Sequence, residues 1–357
     1  MNINITCPIN YLSYGLVSTN LIKALTKLNH KVALWPIGPI ECLPENQDLI
    51  KSCVGNQAEY DKNGPSLRIY HQFDLAQHIG KGKHVGWPIF ELDKFTQREL
   101  VHLHSQDALI CCSEWGKEVL AQQELPNISV VPLGVDCDIF LPNPYTSPET
   151  TFSMVGKWEV RKNFYELCQA FNKVFEPQDP VLLKIHAYNP FFSAEENDKW
   201  LKLFLHSKLG RAGKIMVSGG RVENQEDIVA AIMNSSDCGV YISKAEGFNL
   251  PALETLALEK HLIITNYSGH TEFATAQNSL LIEPDGLEVA YDGHFFKNNV
   301  GSWMKWGKNQ EEQLIGHLRT MHKLKQNREL GPNKNDVREK FTWENSAKKL
   351  VEVLNAL

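Results

Sequence analysis

Long apolar runs are absent from this 357-residue sequence. None approaches the ~20 residues that cross a bilayer as a helix, so no membrane-spanning helix is expected. The opening MNINITCPINYLSYG shows no basic stretch leading into an apolar one; a secretory leader is not expected there, and the cytoplasm is the expected compartment. Positive charge is not in excess either, since 36 Lys and Arg stand against 42 Asp and Glu and leave a formal charge of -6. Such a chain has no long-range pull toward phosphate backbones, and stable nucleic-acid binding is not expected. The eight cysteines, Cys7, Cys42, Cys53, Cys111, Cys112, Cys137, Cys168 and Cys238, form no C-x-x-C pair. That spacing removes the zinc and dithiol motifs and leaves reduced, mostly buried thiols as the expectation. Short-period repeats and low-complexity tracts are missing as well.

What is present is the composition of a folded globular protein, with 43% hydrophobic and 22% charged residues, in a chain long enough for two domains. Short apolar runs alternate with stretches of helical spacing. INITCPI, LVSTNLIKALTKLN and KVALWPI form one strand-helix-strand unit, and LRIYHQF, TQRELVHLHS, DALICCS, EWGKEVLAQQ and ISVVPLG continue it. The segment 142–150, PNPYTSPET, suits a linker. Beyond it the alternation restarts with TFSMVGKW and runs to HLIITN. The expected fold class is α/β, with two doubly wound parallel-sheet domains over 1–145 and 149–342. From about Pro284 to Gln310 the pattern blurs into a long loop or insertion. Two helical segments, EEQLIGHLRTMHKLKQN and WENSAKKLVEVLNAL, close the chain.

The most informative stretch is Ser243 to Glu272, SKAEGFNLPALETLALEKHLIITNYSGHTE, in which seven residues separate Glu246 from Glu254. Pro251 suits a first helical turn and leaves the neighbouring backbone N–H groups facing the turn, where they can hold an anion. With its turn Glu246-Gly247-Phe248-Asn249-Leu250-Pro251, this stretch resembles the retaining nucleotide-sugar glycosyltransferases of family 4, whose signature is a strand, an EGFGLP-like turn and a helix bearing a second glutamate. The resemblance implies the GT-B fold, two Rossmann-like domains facing a cleft. It makes 1–145 the acceptor domain and 149–342 the donor domain, with the closing helix 343–357 packing back on the first. It implies that Glu246 contacts donor-sugar hydroxyls and Glu254 the ribose, with Gly247, Phe248, Asn249 and Leu250 lining the donor.

A second stretch, Val155 to Phe171 (VGKWEVRKNFYELCQAF), is similar to the family's basic strand-end segment. By that match Lys157 and Lys162 contact the donor diphosphate, with Arg161 beside them. Cations suit that place because the nucleoside diphosphate departs with growing negative charge. Lys157 stands where arginine is commoner, which keeps the charge but loses the planar fork. Gly15 in the loop NYLSYGLVS is open to two readings, close approach to a donor phosphate or acceptor, and a plain strand-to-helix turn. His71 in RIYHQFD either faces the reacting sugar or is a hydrogen-bonded structural residue. His270 and Glu272, in SGHTEF, follow a family-like strand and are candidates for the donor pocket, and Arg221 borders a segment expected near the nucleobase. HVGWPIFELD, DALICCSEWGKEVL, VVPLGVDCDIF and the closing FTWENSAKKLVEVL extend the likeness over nearly the whole chain, with Glu91, Ser113 and Asp136 read as holding loops and the hinge. Asp136-Cys137-Asp138 mimics a metal-binding DxD motif, but it sits just before the linker and no metal is expected.

The chain departs from its relatives after Glu254, where TLALEKHLI replaces a segment that usually carries glycine and proline, and His270 stands at a usual glycine. The implied reaction is transfer of a sugar from a nucleotide-diphosphate sugar to an acceptor hydroxyl with retention of configuration, with no cofactor beyond that co-substrate. A glycan or lipid-linked glycan is the default acceptor, and the latter is compatible with peripheral membrane association. The competing readings are a sugar-nucleotide-binding protein without turnover or with a partner, and a nucleotide-sugar epimerase or sugar phosphorylase.

Overall fold

The strand segments ALIC and HLIIT are continuous apolar runs, as strands covered on both faces require, whereas NINITC and SLRI alternate apolar residues with polar ones that, Asn2 apart, are also buried. Ile3, Ile5, Leu67, Ile69, Val85, Leu109 and Ile110 are all buried in the N-terminal half, as are Phe152, Met154, Leu183, Val240 and Ile263 in the C-terminal half. In the computed structural model of the chain, residues 1–125, 127–143, 147–220 and 225–357 are described. They divide into two units, Met1–Asp136 together with Glu339–Leu357, and Cys137–Arg338. The middle of the expected linker, 144–146, and Arg221 lie outside the described residues.

The first unit follows the order β1 (Asn2–Cys7), α1 (Ser13–Lys27), β2 (Lys31–Pro36), α2 (Gln47–Gly55), β3 (Ser66–Ile69), β4 (His84–Trp87), α3 (Gln97–His104), β5 (Ala108–Cys111), α4 (Glu114–Ala121) and β6 (Ile128–Val130). Its helices start where the sequence supplies caps. Thr96 and Glu99 form a capping box on α3, and Ser113 accepts the Gly116 N–H at 3.1 Å to open α4. The sheet runs β2-β1-β3-β4-β5-β6, parallel throughout, with its reversal of order between β1 and β3.

The second unit contains β7 (Thr150–Gly156), α5 (Phe164–Val174), β8 (Val181–Ala187), α6 (Ala194–Leu205), α7 (Lys208–Arg211), β9 (Ile215–Ser218), α8 (Gln225–Asn234), β10 (Cys238–Tyr241), α9 (Leu250–Ala257), β11 (His261–Thr265) and β12 (Leu280–Ile282). These strands form a parallel sheet of order β12-β11-β10-β7-β8-β9, reversing between β7 and β10. The segment expected as a long loop is instead built around a hairpin, β13 (Leu287–Val289) paired antiparallel with β14 (Ser302–Met304). The strands are three residues each, too short to register as periodicity. Trp303 on β14 is buried and donates Nε1–H to Glu288 at 3.0 Å, while Trp306 packs on the core of this unit. The long α10 (Lys308–Gln326) and the short α11 (Val337–Lys340) follow.

The closing helix α12 (Trp343–Asn355) packs against α1 within the first unit. Val135 N–H donates to Phe341 O at 2.9 Å and Ser346 Oγ–H to Pro132 O at 2.6 Å. All eight cysteines are free thiols. Burial pushes Cys7 up to about 12 and Cys168 up to about 11, which leaves them protonated and unreactive.

Candidate functional site

In open parallel α/β sheets a ligand crevice forms beyond the carboxyl ends of the strands, where the strand order reverses. In the second unit that place is ringed by the loops after β7, β10 and β11. Each loop holds a non-glycine residue with left-handed backbone: Asn163 (φ 57°), Asn249 (φ 75°) and Ser268 (φ 70°). Such conformations cost of order 1–3 kcal/mol each and persist only where the surroundings impose them. Here the surroundings are specific. Asn163 Nδ2–H donates to Ile242 O at 2.7 Å, tying the β7 loop to the end of β10, and Ser268 Oγ accepts the Glu246 N–H at 2.8 Å, tying the β11 loop to the β10 loop. Gly269 N–H donates to Glu246 O at 2.9 Å, and a Cβ on Gly269 would lie 2.1 Å from Gly247 O. The two turns therefore meet backbone to backbone, and only glycine fits.

A line of alternating charges runs through these loops. Lys157 Nζ lies 3.0 Å from Glu159, whose other oxygen takes Arg161 Nη2 at 2.7 Å. Arg161 Nη1 reaches Glu246 Oε2 at 2.7 Å, and Lys162 Nζ and Ser243 Oγ–H reach Glu246 Oε1 at 2.6 and 2.7 Å. Burial alone would raise the Glu246 pKa. The Arg161 and Lys162 charges, with the hydrogen bonds from Lys162 and Ser243, instead hold it well below the usual carboxylate range. Glu159 is likewise lowered, by Arg161 and then the two lysines against its burial. Three cations face two carboxylates, so the line keeps a net positive charge at the lip of the sheet. Exposure grades along it: the Arg161 side chain is 5% exposed, Lys162 11% and Lys157 37%.

Glu254, on α9, is set differently. Its side chain makes no hydrogen bond or ion pair among the described residues, and burial, aided by the charge of Glu226, pushes it up to about 8. At neutral pH it is mostly a carboxylic acid, able both to donate and to accept toward a pair of hydroxyls. Asn249 begins this helix, and its Nδ2 is buried without a partner.

The remaining sequence candidates fall into three groups. Gly247, Phe248 and Leu250 lie in the same turn as Glu246, but Phe248 is 2% exposed and packs on Phe273, so the turn offers its backbone rather than that ring. His270 is fully buried, Nε2–H donates to Thr265 O at 2.5 Å, and burial lowers it to about 4, so it is a neutral strut beneath the site. Gly15 and His71 belong to the first unit. Gly15 sits inside α1, where a Cβ would lie 2.1 Å from Asn10 O, so packing against the chain's own turn requires glycine there. His71 stacks on Phe73 and meets the edges of Tyr14 and Tyr70 in the loop after β3. Asp136 is paired with Lys23 at 3.7 Å, and among the described residues no cluster of three or more His, Cys, Asp or Glu suits a metal.

Sequence reasoning did not single out Glu159, Ser243 or Ser268 as parts of the site. Glu159 had a signal in the alternation K-W-E-V-R-K; the two serines had none beyond lying near the glutamate turn.

Residues 149–291 match the family model described as Glycosyl transferases group 1, a stretch that holds every element of this site and covers less than half of the chain. No curated protein matches the sequence. Among solved structures, sucrose-phosphate synthase from Thermosynechococcus elongatus is similar over 99% of this chain and 98% of its own, with TM-score 0.71 and 14% identity. A glycosyltransferase from Rickettsia africae follows with TM-score 0.67 and 15% identity over 99% and 97% of the two chains. Anabaena HepE, solved in complex with UDP-glucose, gives TM-score 0.68 and 16% identity over 99% of each chain. The chain thus has the GT-B fold of these structures, with two parallel-sheet α/β domains.

Proposed function

We propose that the chain is a retaining glycosyltransferase of the group 1, family 4 type, which binds a nucleoside-diphosphate sugar on the second unit and passes the sugar to an acceptor hydroxyl. The observation that carries this reading is the convergence of Lys162, Arg161 and Glu246 at the strand-order reversal of the unit that matches the family model. Division of labour follows from exposure. Lys157 and Lys162, the more accessible cations, take the diphosphate; buried Arg161 fixes Glu246; Glu246 accepts from donor-sugar hydroxyls; protonated Glu254 meets the ribose. Gly247, Asn249 and Leu250 contribute turn backbone to the donor, Arg221 is assigned to the base, and His71 of the first unit is assigned to the reacting sugar.

Chemistry then needs no protein nucleophile. As the bond from the anomeric carbon to the diphosphate oxygen breaks, charge grows on the leaving group where the lysines and turn N–H groups stabilise it. The acceptor hydroxyl attacks the same face and gives its proton to the departing phosphate, which retains the configuration. The donor is a co-substrate and no metal enters. UDP-glucose is the first donor to try, because the similar Anabaena structure holds it. A glycan or lipid-linked glycan is the acceptor class proposed, with the enzyme in the cytoplasm or peripherally on a membrane; none of the described helices is long and apolar enough to cross one.

Proton NMR of UDP-glucose with the protein alone, where water stands in as the acceptor hydroxyl, tests both parts. Release of glucose first as the α anomer is expected. The β anomer appearing first contradicts retention, and tight donor binding with no release under any acceptor favours a sugar-nucleotide-binding protein without turnover.

A further inference from the structure

The hairpin β13–β14 ends in a compact aromatic turn. Asp292 Oδ1 accepts the N–H groups of His294, Phe295 and Phe296, each at 2.8 Å, and so organises the tip. Phe295 reaches the loop after β8, its ring 6.0 Å from Phe191 and 6.2 Å from Phe192. That loop is fastened to the β7 loop, since Asn189 Nδ2–H donates to Trp158 O at 2.8 Å. Between them lies Lys157, its ammonium 5.3 Å from the centroid of Phe191 and 5.8 Å from that of Phe295. Phe191 and Phe295 are 55% and 41% exposed, an unusual outlay of aromatic surface around one lysine.

We propose that Phe295 is a positioning residue which, with Phe191, holds the Lys157 ammonium at the lip of the site for the donor diphosphate; this rests on the donor-site reading above. Lysine is a flexible chain rich in rotamers, and in an open loop it would lose that freedom on each binding event. Glu159 alone would fix the ammonium but neutralise it. Ring faces attract a cation through their quadrupole and carry no net charge, so they restrain Lys157 while leaving its positive field available to an anion. Glu159 lies 3.0 Å from the ammonium, which has three N–H donors, and the proposal assigns donors beyond that pair to phosphate oxygens. The insertion thereby gains a role in donor recognition, supplied by a segment remote in sequence from both glutamates.

Isothermal titration of UDP and of inorganic pyrophosphate against wild type, Phe295→Ala, Phe295→Leu, Phe295→Trp and Lys157→Ala tests this. Phe295→Ala and Phe295→Leu are expected to weaken both ligands by the same factor, about three- to tenfold, and Phe295→Trp to restore them. In the Lys157→Ala background Phe295→Ala is expected to add nothing. No loss in Phe295→Ala, rescue by leucine as full as by tryptophan, or a loss confined to UDP would each overturn the proposal, the last by making Phe295 a base contact. Lys162→Ala separates the two levels: unchanged UDP affinity there sinks the donor-site reading itself, whereas a loss there beside a neutral Phe295→Ala sinks only the positioning role.

Discussion

At the order reversal of the second sheet, the loops after β7 and β10 bury a line of charged groups held by one another, with Glu246 gripped by Arg161, Lys162 and Ser243. At the corresponding reversal of the first sheet, the loop after β3 holds an Arg68–Asp74 pair, Nη2 to Oδ1 at 3.1 Å with the carboxylate part-exposed, in place of a line of charges. There Tyr14 and Tyr70 pack around His71, Tyr14 Oη–H donates to Ile89 O at 2.9 Å, and α1 presses on Asn10 through Gly15. Two parallel sheets with similar helices thus present different chemistry at the same architectural position. Charge buried in mutual pairs is costly and poorly explained by stability alone; aromatic packing with one satisfied hydroxyl is what a stable loop needs anyway. The contrast supports the proposal that anion chemistry belongs to the second unit.

The comparison breaks most visibly if Glu246 is removed. Glu246→Ala leaves Arg161 and Lys162 facing each other without their carboxylate, and losing one partner of a buried pair costs about 3–5 kcal/mol. A fall in Tm of roughly 10 °C is expected by scanning calorimetry, with Glu246→Gln losing less. The sign with pH follows from the lowered folded-state pKa: the stabilisation is fully present above the ordinary glutamate range and is lost as pH falls through and below it, so the gap between variant and wild type closes in acid. An unaltered Tm would mean the charge line does not hold the loops together.

Gly15→Ala sharpens the other side. Its Cβ would meet Asn10 O at 2.1 Å, and overpacking of this kind costs about 1–3 kcal/mol. Denaturant unfolding should register that loss, while UDP affinity of the folded variant stays within about twofold of wild type. A much larger loss of affinity would bring the first unit's loop into the donor site.

The smallest expected effect is at Glu254. Its folded-state pKa is raised to about 8, so its contribution is fully present below the ordinary glutamate pKa and is lost as pH rises through 8. Glu254→Gln should match wild type near pH 5 and exceed it in Tm by roughly a few degrees near pH 9. Parallel melting curves for the two across that range would remove the protonated-acid role proposed for it.

The paired sheets were legible because short apolar runs alternate with stretches of helical spacing, and the distinctive local contexts of Glu246, Lys157 and Lys162 are what mark them as candidates. The order of strands was not legible, so the coincidence of β7, β10 and β11 at one end of the sheet had to come from the structure. Arg161 reads as a neighbour of the two lysines at the diphosphate; its burial between Glu159 and Glu246 is visible only in the structure. His270 reads as a pocket residue because it follows a family-like strand; in the structure its ring is buried and turns inward to Thr265. Phe295 had no signal at all, since its partner Lys157 is more than a hundred positions away and the hairpin that carries it is built from strands of three residues.

Calorimetric titration of UDP, without added metal, into wild type and Lys162→Ala tests the central claim most directly. Losing a charge-assisted contact of about 1.5–3 kcal/mol should weaken binding by at least tenfold while the variant stays folded, because Arg161 still pairs with Glu246. Equal affinity in the two proteins, or no binding of UDP, GDP or ADP to wild type, would contradict a nucleoside-diphosphate site at the reversal of the second sheet.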